Sequence, residues 1–368
     1  MKIGILTYHR AHNYGAMLQA YALRTFLQNN GHEVCFIDYC SPQLQKEYKV
    51  LRCPRYKPFT KDYVIGLIAL SLTFLRRGIR YNRFVSFACN YLSVPKRSKY
   101  STDKFFIDED IDLCIVGSDQ VWRNRESDGR IIGFDDIYFG TSIPIDIPCI
   151  SYAASMGVIN LSAADESYLR THLQRFRSLL VREQSLKNLL NSIGFDSEIV
   201  CDPVMLLDKK QWNAILPKGR FSANPYILYY EVLESKEVLH SARIFARNHG
   251  FDLKVIRARV HVLPIWGVRQ TYSPIELVQA IRDAEYVITT SFHGTVFSVI
   301  FEKQFYAVGL MKNSGRVVSL LERLGMGDRY VNSIPDKTED IDYEKVNDSR
   351  QSFIRESVEL LNRNMAEL

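Results

Sequence analysis

The chain has 368 residues, 46% hydrophobic and 24% charged, with a formal net charge of +6; this is an ordinary globular composition, long enough for two domains. The mildly basic balance argues against a dedicated nucleic-acid binder and suits a negatively charged substrate or an anionic membrane surface. Seven cysteines at irregular spacing contain no CxxC pair, so neither a zinc ribbon nor a thioredoxin-like motif is indicated, and they read as buried, reduced thiols.

Met1 leads straight into the strand-like run IGILTY, so a signal peptide is not expected and the chain reads as cytoplasmic. The loop HRAHNYG, the helical run AMLQAYALRTFLQNN and the strand EVCFIDY follow. Together they form a βαβ unit, the signature of a parallel sheet. The segment 41–110 breaks the rhythm and reads as an insertion with one or two helices. Within it VIGLIALSLTFL (Val64–Leu75) spans 12 residues, short of the roughly 20 needed to cross a membrane. Arg76, Arg77, Arg80 and Arg83 come next, so this is either a helix packed on the protein or an amphipathic face touching anionic lipid.

The rhythm then resumes. DLCIV, PCISYAA, LLV and SEIVC read as strands, and SAADESYLRTHLQRFRS and LKNLLNSIG as helices. Turn-rich LPKGRFSANP (Leu216–Pro225) is the best linker. Beyond it the strands YILYYEV, FDLKVIRA, EYVITT and QFYAVGL alternate with the helices KEVLHSARIFARNHG, SPIELVQAIRDA, TVFSVIFE and GRVVSLLERLG. The expectation is an α/β chain of two Rossmann-like domains facing a cleft: residues 1–220, 221–345, and a last helix within 346–368 crossing back to the first domain. Strand-end loops of both domains would line the cleft.

Several of those loops carry candidate chemistry. In YVITTSFHGTVFSVI a strand ends and an apolar helix begins, setting Ser291, His293, Gly294 and Thr295 at a helix N-terminus. Free N–H groups and the helix dipole favour an anion there. Gly294 allows close approach, and a histidine beside a bound anion suits a general acid. The plainer reading of His293 is a capping or packed ring. In LLVREQS, Arg182 sits between strand and helix, where it can grip a carboxylate or phosphate, or pair with Glu183 or Asp202. In TYHRAHNYGAMLQA, His9, Arg10, Asn13, Tyr14 and Gly15 fill the first strand-to-helix turn with one glycine, so a dinucleotide pyrophosphate is not expected. Asn13 either meets a ligand or caps the helix. In IVGSDQVWR, Asp119 can serve as base or hold a sugar hydroxyl and Trp122 can stack on a sugar; alternatively they are a capping aspartate and a packed tryptophan. SYAASMG offers small residues. In GLMKNSGR, Lys312, Asn313, Ser314 and Arg316 either close on a phosphate or remain solvated.

In chain order TYHRAHNYGAMLQAYAL, VGSDQVWR, SYAASMG, VREQS, CDPVMLL and TTSFHGTVFSVIF resemble the polysaccharide pyruvyl transferase family, from about Lys2 to Gly325. The 41–110 segment and the last helix match least. The resemblance implies a glycosyltransferase-B-like fold and transfer of a pyruvyl group from phosphoenolpyruvate to a sugar, as a ketal across two hydroxyls. It implies that Arg182 and His293 bind or protonate phosphoenolpyruvate, with Ser291, Gly294 and Thr295 beside them. Lys312, 19 residues after His293, would be a further donor contact, although the residues around it differ from the family's.

The chemistry then divides into roles. His293 would be general acid or phosphate partner, Arg182 would orient the donor, and Asp119 or a nearby acid would take a hydroxyl proton. Asn13, Tyr14, Gly15, Asp119 and Trp122 are the expected acceptor contacts, with Tyr229 and Tyr230 as further platforms. Neither metal nor cofactor is expected, phosphoenolpyruvate being a substrate, and no nucleic acid is expected as partner. A lipid-linked oligosaccharide at the inner membrane face would fit the basic helix after Leu75. Two other classes share the architecture: a nucleotide-sugar-dependent glycosyltransferase, for which no acidic ribose clamp stands out, and a catalytically silent binding protein.

Overall fold

The structure, a computed structural model, describes residues 1–48, 50, 60–100, 107, 110–124, 133–157, 159–261, 267–310, 315–335 and 339–367. Lys312, Asn313 and Ser314 lie outside the described residues.

Two parallel six-stranded sheets organise the chain. The first contains β1 (Lys2–Leu6), β2 (Glu33–Phe36), β3 (Leu113–Val116), β4 (Cys149–Ala154), β5 (Phe176–Val181) and β6 (Glu198–Ile199), in the order β2-β1-β3-β4-β5-β6. The second contains β7 (Tyr226–Glu231), β8 (Asp252–Arg257), β9 (Val268–Arg269), β10 (Tyr286–Thr289), β11 (Gln304–Val308) and β12 (Tyr330–Val331), in the order β12-β11-β10-β7-β8-β9. Strands β3, β4, β7 and β10 are buried along their whole length. Apart from Glu231 at the end of β7, they are apolar or small-residue runs because helices cover both faces of a parallel sheet. This is the pair of Rossmann-like units expected of a glycosyltransferase-B-like chain.

Strand order reverses between β1 and β3 in one sheet and between β7 and β10 in the other. Loops diverge at such points and leave a crevice beyond the carboxyl ends of the strands. The turn into α1 (Tyr14–Asn29) and the Gly117–Gln120 loop border the first crevice, and the turn into α9 (Phe292–Ile300) borders the second. Every expected strand is present. The two-residue strands β9 and β12 carry too few residues for a readable period. The helix expected over SAADESYLRTHLQRFRS, α4 (Ala163–Leu173), stops early, because Phe176 to Val181 pair with β4 as β5.

The 41–110 segment holds α2 (Pro42–Tyr48) and α3 (Lys61–Tyr91), the latter 31 residues long. The second half of α3 joins the two sheets' domains. Buried Arg80 donates to Tyr14 Oη (2.8 Å), His12 O (3.0 Å) and Gln270 O (3.2 Å), and lies over the Tyr14 and Phe84 rings. Arg83 pairs with Glu276 at 2.8 Å. These two arginines are therefore domain ties rather than lipid contacts, a correction to the basic-face reading. The last helix, α11 (Tyr343–Ala366), starts against the second domain, where Tyr343 donates to Ser298 O and Lys303 O. It ends against the first, where Ser357 Oγ accepts the Cys201 N–H at 2.9 Å.

Candidate active site between the two sheets

Strand β5 delivers Arg182 to a buried position at its carboxyl end, just before α5 (Gln184–Ser192). Its Nη1 donates to Asp202 Oδ2 at 2.6 Å and lies 3.4 Å from Ser118 Oγ. Nη2 is 3.9 Å from Asp119 Oδ1, and Nε is 3.9 Å from Glu183 Oε2. Burial alone would lower the guanidinium's pKa, but Asp202, Glu183 and Asp119 outweigh it and raise the value, so the charge is secure. The pairing with Asp202 and Glu183 considered from the sequence is thus real. It leaves Arg182 Nε and Nη2 buried without hydrogen-bond partners.

From the second domain, α9 brings His293 to the same carboxylate, with Nε2 3.5 Å from Asp202 Oδ2. That nitrogen also has no hydrogen-bond partner. One oxygen of Asp202 therefore faces a cation from one domain and an imidazole from the other. Its other oxygen accepts the Val204 N–H at 3.1 Å. Burial would raise the Asp202 pKa; His293, Arg182 and the Val204 N–H more than cancel that and hold the carboxyl well below the usual range.

The His293 ring is seated by Gly15. A Cβ on residue 15 would stand 2.0 Å from His293 Nδ1, far inside contact distance, so only glycine lets the start of α1 pass under the imidazole. Gly15 was expected among the acceptor contacts; it packs against His293. Gly294 plays a packing role, since a Cβ there would meet Thr289 Oγ1 at 2.3 Å and Tyr230 Cδ1 at 2.9 Å. Ser291 caps α9, its Oγ accepting the Gly294 N–H at 3.3 Å, and Thr295 Oγ1 donates to Ser291 O. These three shape the helix start that presents His293.

Asp119 lies in the same cluster, with its backbone at φ +75° and its side chain accepting the Gln120 N–H. Asn13 caps α1 through the Gly15 and Ala16 N–H groups. Two expected sugar platforms are core instead. Trp122 is fully buried, donates from Nε1 to Tyr138 O and stacks on Phe139. Tyr14 is buried at the domain junction and donates to Tyr272 O at 2.9 Å. Tyr229 and Tyr230 are likewise buried in β7. Large rings in loops flanking parallel strands fill the crevice floor because that is where apolar area can leave water.

Sequence reasoning underrated two residues. Asp202 was considered only as a salt-bridge partner, yet it joins the two domains' candidate groups. Glu183 Oε1 accepts Ser155 Oγ and the Met156 and Gly157 N–H groups, so it holds the SMG loop in place. Beside them opens a cavity of about 520 Å³, its walls including Arg182, Asp202, Phe292 and Arg316 of α10 (Gly315–Arg323). Arg182 and Arg316 both lie over the Phe292 ring, at 4.9 and 5.6 Å from its centroid. Burial first, and then the Arg182 charge, lower the Arg316 pKa. Two guanidiniums over one aromatic ring concentrate positive charge at this wall of the cavity.

Two outcomes follow. Gly15→Ala should displace His293 while leaving the fold intact, seen as a shift of its imidazole NMR resonances without loss of the far-ultraviolet dichroism; an unmoved resonance would contradict the packing. Because the folded Asp202 carboxyl titrates below its ordinary value, its stabilisation is complete above about pH 4 and lost as pH falls through the folded value. Asp202→Asn should therefore cost roughly 3–5 kcal/mol at neutral pH in denaturant titrations, with the gap narrowing in acid. A gap independent of pH would contradict this.

A family model described as polysaccharide pyruvyl transferase matches residues 13–310, a span that contains Gly15, Asp119, Arg182, Asp202 and His293. No curated protein sequence matches the chain. Solved structures similar to it include UDP-GlcNAc 2-epimerase from Neisseria meningitidis, 12% identical over 96% of this chain and 92% of that one, with a TM-score of 0.43. The glycosyltransferase SnogD from Streptomyces nogalater is 12% identical over 99% of each chain, with a TM-score of 0.45. With four-fifths of its length matched in one stretch, the chain belongs to the polysaccharide pyruvyl transferase family.

Proposed function

We propose that this pyruvyl transferase takes its pyruvyl group from phosphoenolpyruvate and sets it as a ketal across two hydroxyls of a sugar, in a cell-surface polysaccharide or its lipid-linked precursor. The observation that carries this is the set of buried nitrogens that make no hydrogen bond, Arg182 Nε, Arg182 Nη2 and His293 Nε2, each 3.5–3.9 Å from a carboxylate and beside the Arg316-lined cavity. A ligand with both a carboxylate and a phosphate uses several such donors at once. Leaving them unpaired costs each its desolvation, so a doubly charged donor has more to gain here than a neutral sugar.

In this reading His293 gives a proton to the methylene carbon of phosphoenolpyruvate, and a sugar hydroxyl bonds to the adjacent carbon. The proton of that hydroxyl goes to Asp119 or to the now neutral His293. The carbon–oxygen bond to phosphate then breaks and inorganic phosphate leaves with its electron pair, giving an oxocarbenium ion. The second hydroxyl traps the ion, and its proton passes to the released phosphate. Arg182 and Arg316 stabilise charge as it moves onto phosphate. Lys312 is a further candidate donor contact.

Phosphoenolpyruvate should raise the unfolding temperature of the wild-type protein, and His293→Ala should lower acceptor-dependent phosphate release by roughly 10²–10⁴-fold while remaining folded. Near-normal release from the His293→Ala variant, or release of a nucleotide in place of phosphate, would contradict the reading.

A further inference from the structure

Exposed large apolar side chains gather, among the described residues, on the first half of α3. Val64, Ile65, Ile68, Leu72, Leu75 and Ile79 are each 47–75% exposed. At 100° per residue these six fall within an arc of about 100° that runs for about 22 Å along the helix, and the exposed Leu67 and Phe74 widen the apolar face on one side to about 180°. On the far side Thr73 and Arg80 are buried; at the edge of the stripe Arg76 reaches Gln270 Oε1 at 3.3 Å, and Arg80 and Arg83 fasten the rest of the helix to the second domain. The helix is thus anchored by one half and presents an apolar stripe with the other.

The charge along α3 is mostly of one sign: apart from the domain ties Arg80 and Arg83 the helix carries Lys61, Arg76 and Arg77, against a single acidic residue, Asp62. We propose that the stripe is a docking face for an anionic lipid bilayer, on which the helix lies in the interface. Among the described residues no helix is long and apolar enough to cross a membrane. An exposed apolar stripe within a basic segment is the pattern of interfacial helices: the stripe enters the headgroup boundary and the cations meet lipid phosphate. A second copy of the chain fits less well, because two-fold pairing would set one basic segment against another. The other half of the helix supplies Tyr81, Phe84, Val85 and Ala88 to a cavity of about 340 Å³ shared with His12 and Tyr48, so docking would bring that cavity close to the bilayer.

The inference deepens the reading of a lipid-linked acceptor, but its test needs no turnover. Its failure would leave the donor chemistry standing, and failure of the donor chemistry would leave the docking measurable. Full-length protein is co-sedimented with phosphatidylcholine vesicles with and without phosphatidylglycerol. The wild type should partition to the phosphatidylglycerol vesicles, more weakly to the neutral ones. Leu72→Glu/Leu75→Glu should weaken binding by about tenfold or more with an unchanged melting curve, and the milder Ile68→Ser/Ile79→Ser should move it the same way. Wild-type protein left in the supernatant, or a double variant binding as tightly as wild type, would overturn the proposal. So would a wild-type dimer that the double variant splits without any vesicle binding.

Discussion

A buried guanidinium cannot be left without a counter-charge, and here the counter-charge is shared. Asp202 Oδ2 accepts Arg182 at 2.6 Å and faces His293 Nε2 at 3.5 Å. Removing one partner of such a buried pair costs roughly 3–5 kcal/mol, so the carboxylate fixes where both groups sit. One comes from the first sheet's domain and the other from the second's, so the same carboxylate couples domain arrangement to the geometry of the site. The packing of His293 on Gly15 adds a steric limit, because neither the start of α1 nor the start of α9 can move toward the other.

The fold explains why these residues meet at all. Parallel strands end on the same side, and their loops part where strand order reverses. The reversals between β1 and β3, and between β7 and β10, bring the α1 turn, the Asp119 loop and the α9 turn to the domain junction. Helix α3 and helix α11 then tie the halves together, α3 through Arg80 and Arg83 and α11 through Tyr343 and Ser357.

Much of this was legible in the sequence, for identifiable reasons. Apolar runs ending in small or polar residues before a helical period mark strand, loop and helix without help from distant residues, so Arg182, His293 and Asp119 could be placed at strand ends. What the sequence concealed depends on contacts far apart in the chain. Gly15 reads as an ordinary turn glycine until His293 is seen above it. Asp202 reads as a cap for the short turn Pro203–Leu206, which it also is. Trp122 and Tyr14 look like ligand platforms because segments that follow strand ends usually face water, whereas both rings are buried here. The Arg182–Phe292–Arg316 stack joins three elements from two domains, and no local pattern encodes it.

The most direct test is a double-mutant cycle on phosphoenolpyruvate affinity, measured by calorimetry for wild type, Arg182→Gln, His293→Gln and the double variant. If both side chains act on one anion through one shared carboxylate, the losses will be non-additive, with a coupling of roughly 0.5–3 kcal/mol. Strictly additive losses, or single variants that bind phosphoenolpyruvate as well as wild type, would contradict the account.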